Sequence, residues 1–515
     1  MLARLTTTAL LGLAAHPVAV EVDVGRGLPA ITVVGLGDTA VLQARDRIRA
    51  AFGNAGFDWP DRRITVSLPP SDLPKQGAGF DLPIAMGLLA AAGQVPPAAL
   101  DGVWAVGELG LAGDLRPVRG VLSTAITAKA GGARCLVVPA ANLGEAALVA
   151  GLRPLGAASL AEVGAWLRGQ RDLARPGRPA PVPPPAVEDL ADVRGQALAR
   201  RALEVAAAGG HNLLLVGPPG AGKTMLARRL PGLLPGLEAD EALEVTQVWS
   251  AAGLLTGGGP PLVSARPFRS PHHTVSVAGL VGGGSRVPRP GEVSLAHRGV
   301  LFMDELPEFP RAAIEALRQP LEDGQVTVVR AAASVRLPAS FALVAAANPC
   351  PCGWAGDALR GCRCSPGDLD RYARRLSGPL LDRLDLYVEV ERVPPAELDA
   401  REPGEASGAV RARVAGARAR QLDRGLGENA RLEPGLVVEA CQPDRAARRT
   451  LVVAADRLAL TARAYHRTLR VARTLADLDA SPVVGDDHVH EALAFRQVPL
   501  GPVPWSQVAG AFPGR

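Results

Sequence analysis

One eight-residue loop combines the residue types that hold a polyphosphate. The loop follows the apolar run 213–216 and consists of Gly217, Pro218, Pro219, Gly220, Ala221, Gly222, Lys223 and Thr224. Glycines let the backbone curve around phosphates with its N–H groups pointing inward, and the N-terminal end of a following helix adds positive potential. Lys223 can reach the terminal phosphates, and the Thr224 hydroxyl can bind Mg²⁺. The loop predicts a site for ATP or a similar nucleotide, followed by a helix over 225–230 that Pro231 ends.

Two further apolar runs end in polar residues that suit nucleotide hydrolysis. Residues 299–303 lead to Asp304 and Glu305, and residues 341–347 lead to Asn348. Asp304 can hold Mg²⁺, Glu305 can polarise an attacking water, and the Asn348 amide can orient that water or the γ-phosphate. The alternative for the acidic pair is that one of its members caps a following helix. Beside the phosphate loop, the three residues together predict an ATPase.

Four cysteines follow Asn348 within fifteen positions: Cys350, Cys352, Cys362 and Cys364. In a reducing cytosol, four close cysteines favour a structural Zn²⁺ over disulfides. The two C-x-C pairs are tighter than the usual C-x₂₋₄-C spacing, so four unligated thiols remain the alternative. Cys135 and Cys441 are predicted core residues.

The elements that must position these residues divide the chain into parts. Residues 1–168 alternate β-rich and helical runs, and 169–188 form a Pro-rich extended linker. Residues 189–395 alternate strands and helices as in a parallel sheet covered on both faces. Residues 396–500 are mainly helical, and 501–515 form a poorly ordered tail. The chain is therefore predicted to be a multidomain α/β protein with an α+β N-terminal domain and a helical C-terminal domain.

Within 1–168 the pattern predicts a first hairpin in place of a signal peptide, because the apolar run at 9–15 continues into an alternating strand over 18–24. Strands are also predicted at 30–34 and 63–68, and helices at 39–52 and 82–92. No run approaches the roughly 20 apolar residues that cross a bilayer. A cytoplasmic protein without membrane contact is expected.

Positive charge is concentrated near the C-terminus. The formal net charge of the 515-residue chain is +5, yet residues 406–475 contain fourteen arginines against six acidic residues. This excess favours a polyanion partner, and a solvated helix face is the alternative.

Two further segments lie beside the predicted active-site strands. Residues 266–291, here called the insert, include the Gly-, Pro- and Arg-rich loops 266–274 and 282–291. Such loops can line a pore and contact phosphates, and His272 and His273 within them are predicted to have pore-loop or packing roles. Residues 326–330 and 334–337 predict a β-hairpin, here called the pre-sensor hairpin. It can act as a lever on a threaded strand or be purely structural.

Longer strings of sequence resemble the magnesium-chelatase-like AAA+ ATPases, specifically their ComM (YifB) branch. They include RPFRSPHHT at 266–274, PRPGEVSLAHRGVLFMDELPEF at 288–309, NPCPCG at 348–353 and TARAYHRTLRVARTLADL at 461–478. The resemblance implies a hexameric, ATP-driven motor that moves on single-stranded or branched DNA and promotes branch migration during natural transformation. The alternative is the motor subunit of a metal chelatase, against which the N-terminal domain and the linker argue.

The resemblance also implies roles for individual residues. Asn348 stands at the AAA+ sensor position, and Arg383 is expected to be an arginine finger that reaches the γ-phosphate of a neighbouring subunit. Arg463 is expected to report nucleotide state to the C-terminal lid. Arg467 and Arg470 share its helix face, and solvent exposure is their alternative.

The N-terminal domain resembles the Lon-protease fold, the S5 domain 2-like fold. Gly79 and Leu122 occupy the positions of that enzyme's serine and lysine, so peptide hydrolysis is not expected. Ser71 is nearby, with only Lys75 as a lysine partner.

Overall fold

The computed structural model describes residues 1–515 except 36, 39–40, 42, 178–187, 256–261, 285–286, 331–332, 358, 376–377, 395–403 and 497–515. Half of the predicted linker (178–187), the predicted tail and the boundary at 395–396 therefore lie outside the described residues.

The N-terminal domain is built on a mixed β-sheet. Its strands are β1 (Leu2–Leu11), β2 (Ala14–Gly25), β3 (Ala30–Val34), β4 (Arg63–Ser67), β5 (Val103–Ala105), β6 (Glu108–Leu109), β7 (Leu115–Arg116), β8 (Cys135–Pro139) and β9 (Pro154–Ala157). Its helices are α1 (Ala44–Asn54), α2 (Asp81–Ala91), α3 (Val121–Ala130), α4 (Leu143–Ala146) and α5 (Leu160–Leu167). Seven strands form one sheet in the order β3-β4-β2-β1-β5-β8-β9, and β6 pairs with β7.

The predicted first hairpin is confirmed as the antiparallel pair β1 and β2. Val18, Val20 and Val22 are fully buried because alternate residues of a strand face the same side of the sheet. Helix α2 is buried along its whole length and packs on this hairpin. The predicted strands and helices of this domain are confirmed within the described residues; the start of the helix predicted from residue 39 lies partly outside them, and its described part is Ala44–Asn54.

The core is a parallel sheet covered by helices, as predicted. Its strands are β10 (Leu213–Val216), β11 (Phe268–Arg269), β12 (Val300–Met303), β13 (Gln325–Arg330), β14 (Ala333–Pro338), β15 (Ala342–Ala347) and β16 (Leu386–Glu389). Its helices are α6 (Ala197–Gly209), α7 (Lys223–Leu233), α8 (Ala239–Ala252), α9 (Val277–Val281), α10 (Glu292–Leu295), α11 (Arg311–Ala316), α12 (Arg318–Asp323), α13 (Pro366–Arg375) and α14 (Gly378–Leu381). The parallel sheet has the order β11-β12-β15-β10-β16, and β13 with β14 forms the predicted pre-sensor hairpin.

One helix boundary was predicted wrongly. Helix α7 continues through Pro231 and ends at Leu233. Proline removes one N–H bond to the carbonyl one turn earlier and its ring crowds that carbonyl, and here the helix ends within two residues of it. A proline in the last turn therefore shortens the helix little.

The C-terminal domain is helical, as predicted. Its helices are α15 (Ser407–Asp423), α16 (Val437–Cys441), α17 (Arg445–Arg457), α18 (Ala462–Leu478) and α19 (Asp486–Ala494). Leu475 of α18 belongs to the same apolar cluster as Leu213 and Val344 of the core sheet. The C-terminal helices thus cover one face of the core and share its interior.

The N-terminal domain packs on the core through α3 and α8. The amide N–H of Gly120 donates to the Ser250 carbonyl oxygen at 3.0 Å, and the Ser250 hydroxyl donates to buried Glu145. Gln247 Nε2 donates to the Leu13 carbonyl at 3.1 Å. A Cβ on Gly12, at the β1–β2 turn, would lie 2.0 Å from Val335 of the pre-sensor hairpin, so the turn touches that hairpin. The two parts that flank the linker are therefore docked together.

None of the helices described here is both long enough and apolar enough to cross a membrane.

Candidate nucleotide site

The carboxyl ends of three neighbouring strands bring the predicted ATPase residues together. Strand β15 pairs in parallel with β10 on one side and with β12 on the other. The phosphate loop follows β10, Asp304 and Glu305 follow β12, and Asn348 follows β15. Because carboxyl ends of parallel strands share one edge, Asn348 lies between the two other motifs. This arrangement agrees with the prediction that an amide there can serve both.

Polar contacts link the motifs directly. Lys223 Nζ donates to the carbonyl oxygens of Gly217 at 2.5 Å and Pro218 at 3.0 Å, and to Asn348 Oδ1 at 3.1 Å. Thr224 Oγ1 donates to Asp304 Oδ2 at 2.7 Å. A hydroxyl and a carboxylate in contact are the oxygen ligands that Mg²⁺ prefers. The donor set therefore fits a Mg²⁺-nucleotide.

The ammonium group of Lys223 lies in a partly dehydrated site. Burial lowers the pKa of its ammonium, and the carboxylates of Asp304 and Glu305 act in the opposite direction. Its hydrogen-bond partners are neutral groups, so its charge is not cancelled by direct contact with a carboxylate among the described residues. The site therefore suits an anion such as a triphosphate.

Glu305 has an unusual backbone and an unforeseen neighbour. Its φ is 52°, in the left-handed region that residues with a Cβ rarely adopt. Its N–H donates to Asp304 Oδ1 at 3.0 Å. His273 Nδ1 lies 3.8 Å from Glu305 Oε2, and the His273 ring meets Phe309 edge-on. The sequence predicts only a pore-loop or packing role for His273, because no local pattern indicates a contact across 32 positions.

Arg383 is mostly buried in its own subunit. Its guanidinium is paired with Glu322 of α12, and its carbonyl accepts from Asn212 Nδ2 at 3.1 Å. Two residues on, buried Asp385 accepts from Arg467 Nη1 at 3.0 Å. Burial raises the pKa of the Asp385 carboxyl, but the bond to His211 and the Arg467 charge outweigh it and lower this pKa to about 2.

The arginines of α18 differ in their surroundings. Arg463 is exposed at the start of the helix. Arg467 is bonded to Asp385, and Arg470 donates to the carbonyl of Ala430 at 3.4 Å. Solvent exposure, the alternative for Arg467 and Arg470, is therefore wrong.

Most of the basic C-terminal segment is committed to contacts within the chain. Ten of the fourteen arginines at 406–475 donate to carboxylates or carbonyl oxygens. They are Arg411, Arg413, Arg418, Arg420, Arg424, Arg431, Arg448, Arg467, Arg470 and Arg473. Several of their acidic partners, such as Glu204 and Asp385, lie outside residues 406–475, so the charge balance of that segment does not include them. The excess of positive charge is therefore a weak sign of a polyanion surface here.

The four clustered cysteines come together in space. Their sulfur atoms all lie within 4.8 Å of one another, with Cys350 and Cys352 at 3.3 Å and Cys352 and Cys362 at 3.6 Å. Tetrahedral Zn²⁺ with Zn–S bonds of about 2.3 Å needs sulfurs about 3.8 Å apart. The four thiols therefore fit a structural Zn²⁺. Cys135 and Cys441 are buried core residues, as predicted.

The cysteine cluster touches the phosphate loop. A Cβ on Gly353, which has a φ of 83°, would lie 2.6 Å from Pro219 Cδ. On the other side of the cluster, Tyr372 Oη donates to the Asn348 carbonyl oxygen at 3.0 Å. The cysteine loop thus contacts a phosphate-loop residue, and helix α13, which follows that loop, contacts the sensor residue.

Residues at and near the predicted protease positions make contacts that stabilise the fold. The Leu122 N–H donates to Glu145 Oε1 at 2.8 Å, beside the interface with α8. Burial raises the pKa of the Glu145 carboxyl. Lys75 is buried, and its ammonium donates to the Pro70 carbonyl oxygen. Ser71 is exposed. Lys75 therefore stabilises the loop that contains Pro70.

Comparisons with known proteins cover nearly the whole chain. Family models described as subunit ChlI of magnesium chelatase match residues 189–398 and 20–142, and one for the ChlI C-terminal part matches 404–496. An uncharacterized protein of Mycobacterium tuberculosis is 47% identical over 96% of this chain and 99% of its own. YifB of Escherichia coli, also uncharacterized, is 45% identical over 96% of each chain. The competence protein ComM of Haemophilus influenzae is 44% identical over 96% of this chain and 97% of its own.

The match at 20–142 carries the ChlI description, so the N-terminal domain by itself does not argue against a chelatase role. The full-length similarity is nevertheless to YifB and ComM. With its P-loop, acidic pair and sensor asparagine on one sheet edge, the chain belongs to the magnesium-chelatase-like AAA+ ATPases, in the ComM (YifB) family.

Proposed function

We propose that this protein is an ATP-driven DNA motor that promotes branch migration of recombination intermediates, in natural transformation. The observation that carries the proposal is the meeting of a complete ATPase residue set at one sheet edge. The name of its relative ComM, a competence protein, and the family resemblance direct this ATPase to DNA. A cytoplasmic location belongs to the same proposal, because the four clustered cysteines are proposed to hold Zn²⁺ and not to form disulfides.

Each residue at the edge has a task in hydrolysis. When the nucleotide binds, Lys223 gives up its hydrogen bonds to the carbonyl oxygens of the phosphate loop and bonds to the β- and γ-phosphates. Thr224 and Asp304 hold Mg²⁺. The metal, when bound, neutralises charge on the transferred phosphoryl group. Glu305 accepts a proton from the attacking water, and the Asn348 amide orients that water against the γ-phosphate.

Arg383 is proposed to act on the nucleotide of a neighbouring subunit in a hexameric ring, and Arg463 to contact the nucleotide from the lid. Before it can act, Arg383 must turn away from Glu322 or share its guanidinium between the two. Arg383→Ala should therefore abolish hydrolysis but spare ATP binding. Rings mixed with wild-type subunits should keep part of the activity. Normal hydrolysis by the mutant protein alone would disprove the assignment in trans.

A second proposed site is a structural Zn²⁺ at Cys350, Cys352, Cys362 and Cys364. By fixing the cysteine loop, the metal would hold Gly353 against Pro219 of the phosphate loop. This role needs no open coordination position, in agreement with four sulfur ligands.

The test of the DNA motor compares ATP hydrolysis with no DNA, with single-stranded DNA and with a four-way junction. We expect stimulation by DNA and movement of a fluorescent junction only with ATP. The Glu305→Gln variant is the control, since it should bind the junction without moving it.

The second candidate function, the motor of a metal chelatase, is favoured by the ChlI family models. It predicts no response to DNA and a response to a metal-insertion partner. An ATPase that is unaffected by DNA and leaves junctions unmoved would favour this candidate.

A further inference from the structure

The segment that carries Arg383 is bonded to the C-terminal domain as well as to the core. Residues 383–385, here called the Arg383 segment, lead directly into strand β16. The carboxylate of Asp385 is almost fully buried, and its Oδ1 atom accepts from Arg467 Nη1 of helix α18 at 3.0 Å. Bonds between two ionised groups are short and directional, and they strengthen where little water competes. Arg467 therefore fixes the place of this segment relative to α18.

Asn212 holds the same segment from the core. Its backbone N–H donates to Asp385 Oδ2 at 3.2 Å, and its carbonyl oxygen accepts from the Asp385 N–H at 2.9 Å. Its side chain donates to the Arg383 carbonyl oxygen at 3.1 Å and accepts from the Leu343 N–H of β15 at 2.9 Å. Asn212 directly precedes β10, which leads to the phosphate loop. Asp385 thus joins the core on one carboxylate oxygen and α18 on the other.

A second contact with α18 passes through His211. Its ring is buried, with Nδ1 3.4 Å from Asp385 Oδ2 and Nε2 2.8 Å from Thr474 Oγ1. Thr474 lies seven residues after Arg467, so the two residues share one face of α18, two turns apart. Contacts at two points along a helix fix its direction as well as its distance. The Arg383 segment and α18 are therefore held in one relative orientation.

Helix α18 also carries Arg463, the arginine proposed to contact the nucleotide from the lid. Arg463 and Arg467 lie one turn apart on the same face. The Thr461 hydroxyl accepts from the Ala464 N–H at 3.2 Å, so Arg463 belongs to a capped, regular first turn. The helix runs for 17 residues without a break, and its second half is buried. A displacement of α18 at Arg463 therefore reaches Arg467 and the segment bonded to it.

We propose that Arg467 is a positioning residue: through Asp385 it holds Arg383 where it can reach the nucleotide of a neighbouring subunit. The inference rests on the proposed function, which assigns Arg383 to that role. The Arg383 side chain can turn away from Glu322 about its own bonds, while the bonds of Asp385 keep the main chain of the segment in place. Because α18 also carries Arg463, the nucleotide of one subunit then influences the arginine that this subunit presents to the next.

Removal of this contact should slow the reaction without weakening nucleotide binding. Arg467→Gln removes the guanidinium bond to Asp385, and misplacing a catalytic group by about 1 Å can cost about 10²-fold in rate. We expect kcat for ATP hydrolysis to fall about tenfold. KM should stay unchanged, because the phosphate loop of the same subunit is intact. Arg467→Met keeps the aliphatic bulk and should behave in the same way, so it replaces Arg467→Gln if that variant does not fold. Steady-state hydrolysis by the full-length protein and thermal unfolding measure these quantities.

Rings mixed from two variants distinguish a positioning role from a structural one. Equal amounts of Arg467→Gln and Glu305→Gln chains are combined before hydrolysis is measured. About a quarter of the sites then pair an intact Glu305 with a well-placed Arg383 of the neighbour, so the rate should be about three times that of Arg467→Gln rings at the same total protein concentration. If the change damages only the subunit that carries it, mixing with inactive chains should instead lower the rate to about half.

Arg470→Gln is the matched control. Arg470 lies on the same helix, is half-buried like Arg467, and donates to the carbonyl oxygens of Ala430 and Leu432 within the C-terminal domain. Its loss removes comparable contacts but leaves Asp385 bonded, so mixing with Glu305→Gln chains should not raise its rate. A gain equal to that of Arg467→Gln would assign the effect to the helix in general and overturn the role of the Asp385 bond.

Arg383→Ala mixed with Glu305→Gln is the reference that separates this inference from the proposed function. It should gain on mixing, because it lacks the arginine itself. If Arg383→Ala hydrolyses normally alone, or gains nothing on mixing, the proposed role of Arg383 fails. If Arg383→Ala gains and Arg467→Gln does not, that role stands, and the contact of Arg467 with Asp385 is only structural.

Discussion

Two regions of this molecule are dense in charged side chains and use them in different ways. At the nucleotide edge, Lys223 contacts carbonyl and amide oxygens, and Asp304 contacts a hydroxyl and an N–H. In the C-terminal domain, buried Asp477 accepts from Arg424 at 2.6 Å and from Arg473 at 3.0 Å. At the nucleotide edge the charged side chains bond to neutral groups and can still bind a charged ligand. In the C-terminal domain the opposite charges form ion pairs with each other.

A ligand site therefore differs from a structural cluster in the partners of its charged groups more than in their number. A guanidinium already bonded to a buried carboxylate would have to give up that bond to hold a phosphate. Substitutions in the two regions should therefore change different observables.

The largest effect is expected at the nucleotide edge. Glu305→Gln removes the carboxylate that accepts the water proton and should lower kcat about 10²- to 10⁴-fold. Nucleotide affinity should persist, because Lys223, Thr224 and Asp304 are unchanged, and rings should become more stable in the ATP-bound state. Steady-state hydrolysis, binding of a fluorescent ATP analogue and sedimentation measure the three quantities. Unchanged hydrolysis would show that another group activates the water.

The C-terminal cluster should respond in stability instead. Asp477→Asn leaves the buried guanidinium of Arg473 and the partly buried one of Arg424 without their carboxylate and should cost about 3 kcal/mol of unfolding free energy. Urea unfolding followed by circular dichroism measures this loss. The control is Asp479→Asn, since Asp479 is half-exposed and its contact is with His488 at 3.3 Å. Equal stability of the two variants would remove the distinction between the regions.

Several features of the fold and site were predictable because their signals are local. The phosphate loop, the two strands that end in Asp304 and Asn348, and the first hairpin each lie in one continuous run of residues. Periodicity and loop composition act over the same short range. The meeting of the four cysteines also followed from their spacing within fifteen positions.

Other features depend on contacts between distant segments and left no local pattern. Arg473 is buried, and no local pattern in the sequence indicates that this arginine lies in the core. The contact of Gly353 with Pro219 spans 134 positions, and that of His273 with Glu305 joins the insert to the acidic pair. Tertiary packing alone decides such pairs.

The cysteine loop should affect the nucleotide edge less than the catalytic residues do. We expect about one Zn²⁺ per chain by mass spectrometry in the wild type and a value near zero for Cys350→Ser with Cys352→Ser. Loss of the metal should loosen the contact of Gly353 with Pro219 and weaken ATP binding about tenfold. Cys441→Ala, which removes a thiol from the core, is the control and should keep the metal. A wild-type value well below one would leave four unligated thiols.

The smallest effect expected at the nucleotide edge concerns His273. Its ring lies 3.8 Å from the Glu305 carboxylate and rests against Phe309, so it limits where that exposed carboxylate can point. An exposed contact of this kind is worth about 1 kcal/mol or less, so His273→Gln should lower kcat about three- to fivefold and leave the KM for ATP unchanged. His272→Gln is the matched control, because the His272 ring bonds to Thr274 at 2.9 Å instead of Glu305. Equal kcat values for the two variants would mean that the insert does not position the water-activating group. A loss confined to His273→Gln would make the insert part of the hydrolytic site.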